Sequence, residues 1–143
     1  MRVIIWIAFC FVCLNCNTTK KTAGTSNKLN GTWIPVKEEI GGTSLPATAF
    51  ATQKLIIIDT TYTFTAESID KGVLKYDSEK MDIYGKEGVN AGKHFTAIYK
   101  FMPDSTNKGE QLAICYNLTG SGYPETFDTK GQRTFFLSVF RKE

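Results

Sequence analysis

Residues 93–102 read KHFTAIYKFM and carry the clearest secondary-structure signal in the chain. Apolar side chains occupy every second position of this stretch (Phe95, Ala97, Tyr99 and Phe101). Side chains of a β-strand point alternately to two faces, so this period of two predicts a strand with one buried face. Residues 61–66 and 111–118 show the same alternation, which is typical of antiparallel strands.

The same pattern, followed outward along the chain, predicts eight strands, at residues 31–39, 54–59, 61–67, 71–77, 80–84, 93–102, 110–117 and 133–141. The segments between them contain Gly, Asp, Asn or Pro, as turns do. We find no internal repeat and no second domain. Eight such strands can form a sandwich or a barrel, and closure into a barrel removes exposed edges. The pattern therefore predicts an all-β fold of antiparallel strands and leaves both the sandwich and the barrel open.

The N-terminus has the layout of an export signal. Met1 and Arg2 are followed by an apolar core at residues 3–14, and polar residues begin at Asn15. This core is too short to span a bilayer, which takes a helix of ~20 apolar residues. With Cys16 at its polar edge, the segment resembles a bacterial lipoprotein signal, in which that Cys is lipidated and becomes the mature N-terminus.

The resemblance implies a signal peptide at residues 1–15, a lipidated Cys16 with a flexible tether at residues 16–28, and a folded domain at residues 29–143. It also implies membrane attachment through the lipid in the cell envelope, with the outer membrane facing the periplasm favoured because no Asp follows Cys16. Cys10 and Cys13 are rival sites inside the apolar core. A plain secretory leader and a soluble cytosolic chain are the alternatives.

The net charge and the cysteine positions each give a prediction. The net charge of +3 is too small to argue for nucleic-acid binding. Four cysteines would allow two disulfides, but three lie at or before residue 16, so Cys115 is predicted to be unpaired and buried. The sequence does not indicate an oligomeric state.

Candidate catalytic and metal-binding residues are sparse. The single His, His94, falls on the polar face of its strand, and Gly120-Ser121-Gly122 does not match a nucleophile elbow. The densest acidic group runs from Asp77 to Asp82 without the order of a calcium loop, and Glu38-Glu39 is interpreted as a solvated strand end. We therefore predict no catalytic residues, no metal and no cofactor, and hence no enzyme.

Several motifs together resemble a lipocalin-like family of small bacterial domains of unassigned function. They are the L-x-G-x-W opening at residues 29–33, K-L-x-I at 54–57, A-I-Y at 97–99, L-x-I-C at 112–115, P-x-x-F at 124–127 and a terminal Arg. The resemblance covers about residues 29–142 and implies an all-β fold, a small antiparallel eight-stranded lipocalin-like up-and-down barrel. Tyr123 replaces the Arg that the family places before the Pro, so the role of that Arg cannot be transferred.

The two chain ends suggest a barrel-closing pair. In a closed antiparallel barrel the first and last strands are neighbours, which brings Trp33 near Arg141. The family resemblance implies that the Arg stacks on the Trp. We therefore predict the Arg141 guanidinium within ~6 Å of the Trp33 ring, the range of a cation–π contact.

Alternation also predicts which side chains point inward. Among the inward candidates at the two closing strands are Ile34, Val36, Phe135, Leu137 and Val139. Such bulky side chains would nearly fill a small barrel, which has room for one small ligand at most. The predicted lining of a shallow cavity is Tyr62, Phe64, Tyr76, Tyr99 and Tyr116, because tyrosine hydroxyls need partners or water.

Two functions follow as hypotheses. The first is a membrane-anchored lipocalin-like module that binds a small apolar or amphipathic molecule. The alternative is a protein-interaction or inhibitor module with a filled core, acting through loops at residues 85–93 and 118–132. An open void well above the ~30 Å³ share of one water favours the first, and a solid interior favours the second.

Overall fold

The computed structural model describes residues 26–106 and 109–143, with side chains from Lys28 onward, and these residues are nearly all β. The strands are β1 (Gly31–Ile40), β2 (Thr43–Ser44), β3 (Lys54–Ile58), β4 (Thr61–Thr65), β5 (Ile69–Tyr76), β6 (Lys80–Glu87), β7 (His94–Pro103), β8 (Glu110–Asn117) and β9 (Phe135–Lys142). The helical elements are α1 (Ser26–Leu29) and a 3₁₀ turn (Ala47–Ala49).

The strands form one antiparallel sheet that closes on itself. Each strand from β3 to β8 pairs with the next strand along the chain, and β1 pairs with both β3 and β9. The two-residue β2 pairs only with the end of β1. Eight long strands therefore build a closed up-and-down barrel, which confirms the predicted fold class.

One end of the barrel is plugged by the start of the chain. Leu29, the last residue of α1, is fully buried, and Trp33 is 1% exposed. The Trp33 indole Nε1 donates a 2.8 Å hydrogen bond to the Leu29 carbonyl, which satisfies a buried donor. The Tyr76 hydroxyl donates to the Asp59 carbonyl and the Tyr99 hydroxyl to the Asp77 carbonyl in nearby turns. We call this the closed end.

The cation over Trp33 is Lys142, which corrects the predicted pairing with Arg141. Trp33 lies directly opposite Lys142 in the β1–β9 register, and the Lys142 ammonium is 5.3 Å from the centre of the ring. Arg141 lies opposite Ile34, so its side chain leaves from the other face of the strand. The meeting of the first and last strands was predicted, but the register was off by one residue.

Lys142→Ala should lower the free energy of unfolding by ~0.5–1 kcal/mol, the usual size of an exposed cation–π contact. Lys142→Met keeps much of the stem that packs on the ring and should show only part of this loss. The measurement is equilibrium urea unfolding followed by circular dichroism. Arg141→Ala is the matched control, and a larger loss in that variant than in Lys142→Ala would contradict this assignment.

The inward faces of β1 and β9 differ from the prediction. Phe136, Ser138 and Phe140 point inward on β9, whereas Leu137 and Val139 belong to a second cluster on the outer face. On β1 the buried positions are Trp33, Pro35 and Glu38, because a bulge between Pro35 and Lys37 shifts the alternation. Ile34, Val36, Phe135, Leu137 and Val139 are therefore not inward-facing wall residues.

The outer cluster explains why β9 is apolar on both faces. It contains Ala113, Cys115, Leu137 and Val139, with Phe127 packed against it from the segment between β8 and β9. That segment lies across the outside of the barrel, held in part by the Thr96 hydroxyl, which donates to the Gly122 carbonyl at 2.6 Å. A strand that is covered on both faces has a continuous apolar sequence, so alternation cannot identify which of its residues point into the barrel.

Candidate functional site

A cavity of ≈ 200 Å³ enters the barrel at the end opposite α1. We call this end the mouth. Most of its wall is apolar or aromatic: Leu55, Ile57, Tyr62, Phe64, Leu74, Met81, Ile83, Phe95, Ile114, Tyr116, Leu118, Phe136 and Phe140. Polar wall residues are Glu38, Asp70, Asn90 and Ser138. Apolar walls with a few convergent polar groups are typical of small-molecule sites.

The cavity contains some of the predicted lining residues and lacks others. Tyr62, Phe64 and Tyr116 lie in its wall. Tyr76 and Tyr99 do not, because they sit at the closed end with their hydroxyls bonded to turn carbonyls. Burial raises the pKa of Tyr99 to about 12, so its hydroxyl stays neutral and acts as a structural donor.

The two tyrosine hydroxyls in the wall differ from those at the closed end. Neither the Tyr62 nor the Tyr116 hydroxyl has a hydrogen-bond partner among the residues that the structure describes. Burial raises the pKa of both groups, most strongly that of Tyr116, and the nearby Glu38 charge acts on Tyr116 in the same direction. Both remain neutral donors and acceptors available to a molecule in the cavity.

Glu38 is the most deeply buried ionisable residue of the wall, and sequence reasoning missed it. It is 2% exposed, which corrects its interpretation as part of a solvated strand end. The Ser138 hydroxyl lies 3.5 Å from its carboxylate, and the Gln53 amide is a second neutral neighbour. Burial raises the pKa of Glu38, and these neutral donors offset the effect only in part. Glu39, the next residue, accepts a hydrogen bond from Thr129 outside the barrel.

Glu38→Gln and Glu39→Gln should change the pH dependence of stability in opposite directions. The raised pKa of Glu38 means that its contribution is fully present below the ordinary carboxyl pKa of ~4.3 and is lost as pH rises through the folded value. The Thr129 hydrogen bond lowers the pKa of Glu39, so its contribution is present above ~4.3 and lost as pH falls through its folded value.

Urea unfolding of both variants and the wild type between pH 3 and 8, a range that brackets the ordinary carboxyl pKa of ~4.3, tests this sign difference. Relative to the wild type, Glu38→Gln should gain stability as pH rises and Glu39→Gln should gain stability as pH falls. Parallel curves for the two variants would contradict a raised pKa of Glu38.

A loop at the mouth is tied to the wall by Asp70. Its carboxylate accepts hydrogen bonds from the Asn90 backbone N–H at 3.0 Å and from the Asn90 side-chain amide at 3.1 Å. Gly88 has a φ of 87°, and a side chain there would lie 2.2 Å from an Asp70 carboxylate oxygen. The loop between β6 and β7 therefore folds over one side of the mouth, and the Asp70 charge is already hydrogen-bonded.

His94 belongs to a second polar cluster, on the outer wall. Its Nε2 lies 2.7 Å from Asp82, its ring stacks on Tyr84, and the Tyr123 hydroxyl donates to the other Asp82 oxygen at 2.7 Å. Burial raises the pKa of Asp82, but the Tyr123 and His94 hydrogen bonds outweigh it and hold that pKa below the ordinary value. The cluster fastens the segment after β8 to the barrel wall.

The acidic turn and the lone thiol have structural roles. Asp77 accepts hydrogen bonds from the backbone N–H groups of Glu79 and Lys80 and so closes its turn. Cys115 is fully buried in the outer cluster, and burial raises the pKa of its thiol to about 11. Within the described part of the chain, no three His, Cys, Asp or Glu side chains gather closely enough to hold a metal ion.

The predicted signal segment at residues 1–15, Cys16, and residues 16–25 of the predicted tether lie outside the described residues. Over residues 26–106 and 109–143, the structure contains no helix long and apolar enough to cross a membrane. Comparisons with family models, with curated proteins and with solved structures each returned no match.

Proposed function

We propose that this protein is a lipocalin-like binding module of the cell envelope, which takes up a small apolar or amphipathic molecule through the mouth of its barrel. The observation that carries the proposal is the ≈ 200 Å³ cavity. It exceeds by several-fold the ~30 Å³ share of one water, and an engineered apolar cavity of ~150 Å³ is large enough to bind benzene.

The alternative function requires a filled core. A protein-interaction module that acts through its loops gains nothing from an open apolar cavity, and unfilled core volume costs stability. The loops at residues 85–93 and 118–132 are hydrogen-bonded to the barrel itself. Asp70 accepts hydrogen bonds from the first loop, and Asp82 accepts one from Tyr123 in the second. These contacts favour ligand binding over loop-mediated interaction.

Native mass spectrometry of the full chain, purified under mild conditions, should detect a retained small molecule. A direct titration with 1-hexanol, followed by NMR, should perturb the amides of cavity-wall residues. Ile114→Phe places bulk in the wall and should weaken this binding. Ile98 packs against the outer cluster, so Ile98→Phe makes the same change outside the cavity and should not weaken it. Binding that is equally strong in both variants would rule out the cavity as the site.

We also propose that Cys16 carries the lipid that attaches the domain to a membrane. The support is the sequence pattern of a basic start, a twelve-residue apolar core and a Cys at its polar edge. One acyl chain gives marginal membrane binding, and two or more give stable anchoring. A diacylglycerol with an added N-acyl chain would meet that requirement.

Cys16→Ser should abolish the acyl mass shift, leave the precursor uncleaved before residue 16, and move the protein out of the lipid-anchored pool. Cys13→Ser is the matched control and should be processed like the wild type. Mass spectrometry of the purified variants reads out the acylation and the cleavage. Normal acylation of Cys16→Ser would overturn the proposed anchor site.

A further inference from the structure

The described wall of the cavity contains acidic side chains and no basic ones. Its two ionisable carboxyl groups are Glu38 and Asp70, and none of the described wall residues is Lys, Arg or His. An anionic ligand such as a fatty acid would therefore meet like charge and no cation. The charge of the wall is complementary to a positive group.

Asp70 and Glu38 differ in the hydrogen-bond donors that surround their carboxyl groups. Asp70 accepts one hydrogen bond from Asn90 on each carboxylate oxygen, so both oxygens already have a donor. Glu38 is nearly inaccessible to bulk water, and the described side chains that act on it or feel its charge, Ser138, Gln53 and Tyr116, are neutral. A buried carboxylate without a cation is costly, and a positive partner with hydrogen-bond donors would relieve that cost.

Aromatic rings surround the same space. Tyr62, Phe64, Phe95, Tyr116 and Phe136 all line the cavity. The negative face of an aromatic ring attracts an ammonium group, most strongly where water is excluded. The Tyr62 and Tyr116 hydroxyls, which have no partner among the described residues, can also accept hydrogen bonds from it.

We infer that the cavity selects a small organic amine, with its ammonium group at Glu38 and its apolar body among the aliphatic and aromatic side chains deeper in the barrel. This inference rests on the proposed binding function and specifies the class of ligand. Glu38 supplies the charge, and the aromatic rings exclude water and add attraction for the cation.

Three probes of equal chain length separate the contribution of the head group from that of the apolar body. Hexylamine, 1-hexanol and hexanoate are titrated into the full-length protein at pH 7, and binding is followed by NMR shifts of wall residues. Hexylamine should bind at least tenfold more tightly than 1-hexanol, and hexanoate should bind most weakly. Because this ranking uses the wild-type protein, it does not depend on any variant folding.

Glu38→Gln should remove the preference for hexylamine over 1-hexanol while leaving 1-hexanol binding nearly unchanged. Glu39→Gln changes the neighbouring carboxyl outside the barrel and should preserve the wild-type ranking. If 1-hexanol or hexanoate binds the wild type more tightly than hexylamine, the inferred amine selectivity is wrong while ligand binding stands. If none of the three probes binds, both the amine selectivity and the proposed binding function are overturned.

Discussion

Trp33→Ala should lower the free energy of unfolding by ~3–5 kcal/mol, the usual cost of truncating a large buried aromatic side chain. Trp33 is 1% exposed and packs against Phe101, with ring centres 6.2 Å apart. Its removal would leave a void at the closed end and the Leu29 carbonyl without its indole donor. Since small domains are stable by only ~5–15 kcal/mol, this loss is a large share of the total.

Urea unfolding followed by far-ultraviolet circular dichroism measures this loss. Trp33→Phe keeps most of the apolar bulk but removes the N–H donor, so it should cost clearly less than Trp33→Ala. Tyr84→Ala, on the outer wall, is a control for aromatic loss away from the core. A Trp33→Ala variant as stable as Trp33→Phe would mean that the closed end is not tightly packed.

Gly72→Ala is the second substitution for which we expect a large effect. Gly72 lies in β5 on the face that points into the barrel. An added Cβ would lie 2.1 Å from the Tyr84 carbonyl oxygen and 2.6 Å from the Tyr62 ring. The first contact is with backbone, so β5 and β6 must separate locally. Overpacking of this kind costs ~1–3 kcal/mol, and a backbone clash belongs at the upper end of that range.

The same substitution should also change the cavity. Tyr62 lies directly opposite Gly72 in the β4–β5 register, and displacing its ring would move it into the space that a ligand needs. Gly72→Ala should therefore weaken 1-hexanol binding as well as stability. Gly109→Ala is the matched control, because no atom of the described residues outside its immediate chain neighbours lies within 4 Å of its added Cβ. A fully stable Gly72→Ala protein with unchanged binding would show that β5 and β6 accommodate the extra methyl group.

The inward positions of β7 and β8 were predictable from sequence. The inward residues of both strands fall at every second position, as expected, although Ala113 and Cys115 on the outer face of β8 are also buried. In β9 the alternation failed, because Leu137 and Val139 are covered by Phe127 from the irregular segment between β8 and β9. No local pattern reveals such cover.

The location of the mouth was not predictable for a different reason. Alternation assigns a residue to a face but does not say which end of the barrel is plugged. Tyr76 and Tyr99 have the same inward period as Tyr62 and Tyr116, yet α1 closes the end at which the first pair lies. The segment that plugs the closed end buries Leu29, the first residue of the L-x-G-x-W motif. A single apolar residue has no periodicity, so the pattern could not show that this segment enters the barrel.

Glu38 shows how a single bulge can hide a site residue. Without the register shift between Pro35 and Lys37, simple alternation from Trp33 would place Glu38 on the outer face. The extra residue turns it into the barrel beside Ser138. A Pro in the strand is a signal for such irregularity, although it does not say which side chain turns inward.

The closure between β1 and β9 has a consequence for how the chain acquires its structure. Because Trp33 pairs with Lys142, β1 finds its last partner only after β9 has emerged from the ribosome or a translocation channel. Contacts so distant in sequence slow folding, and until they form the edge of β1 is open to pairing with another chain. Truncation before residue 135 would therefore leave an aggregation-prone open sheet in place of a smaller barrel.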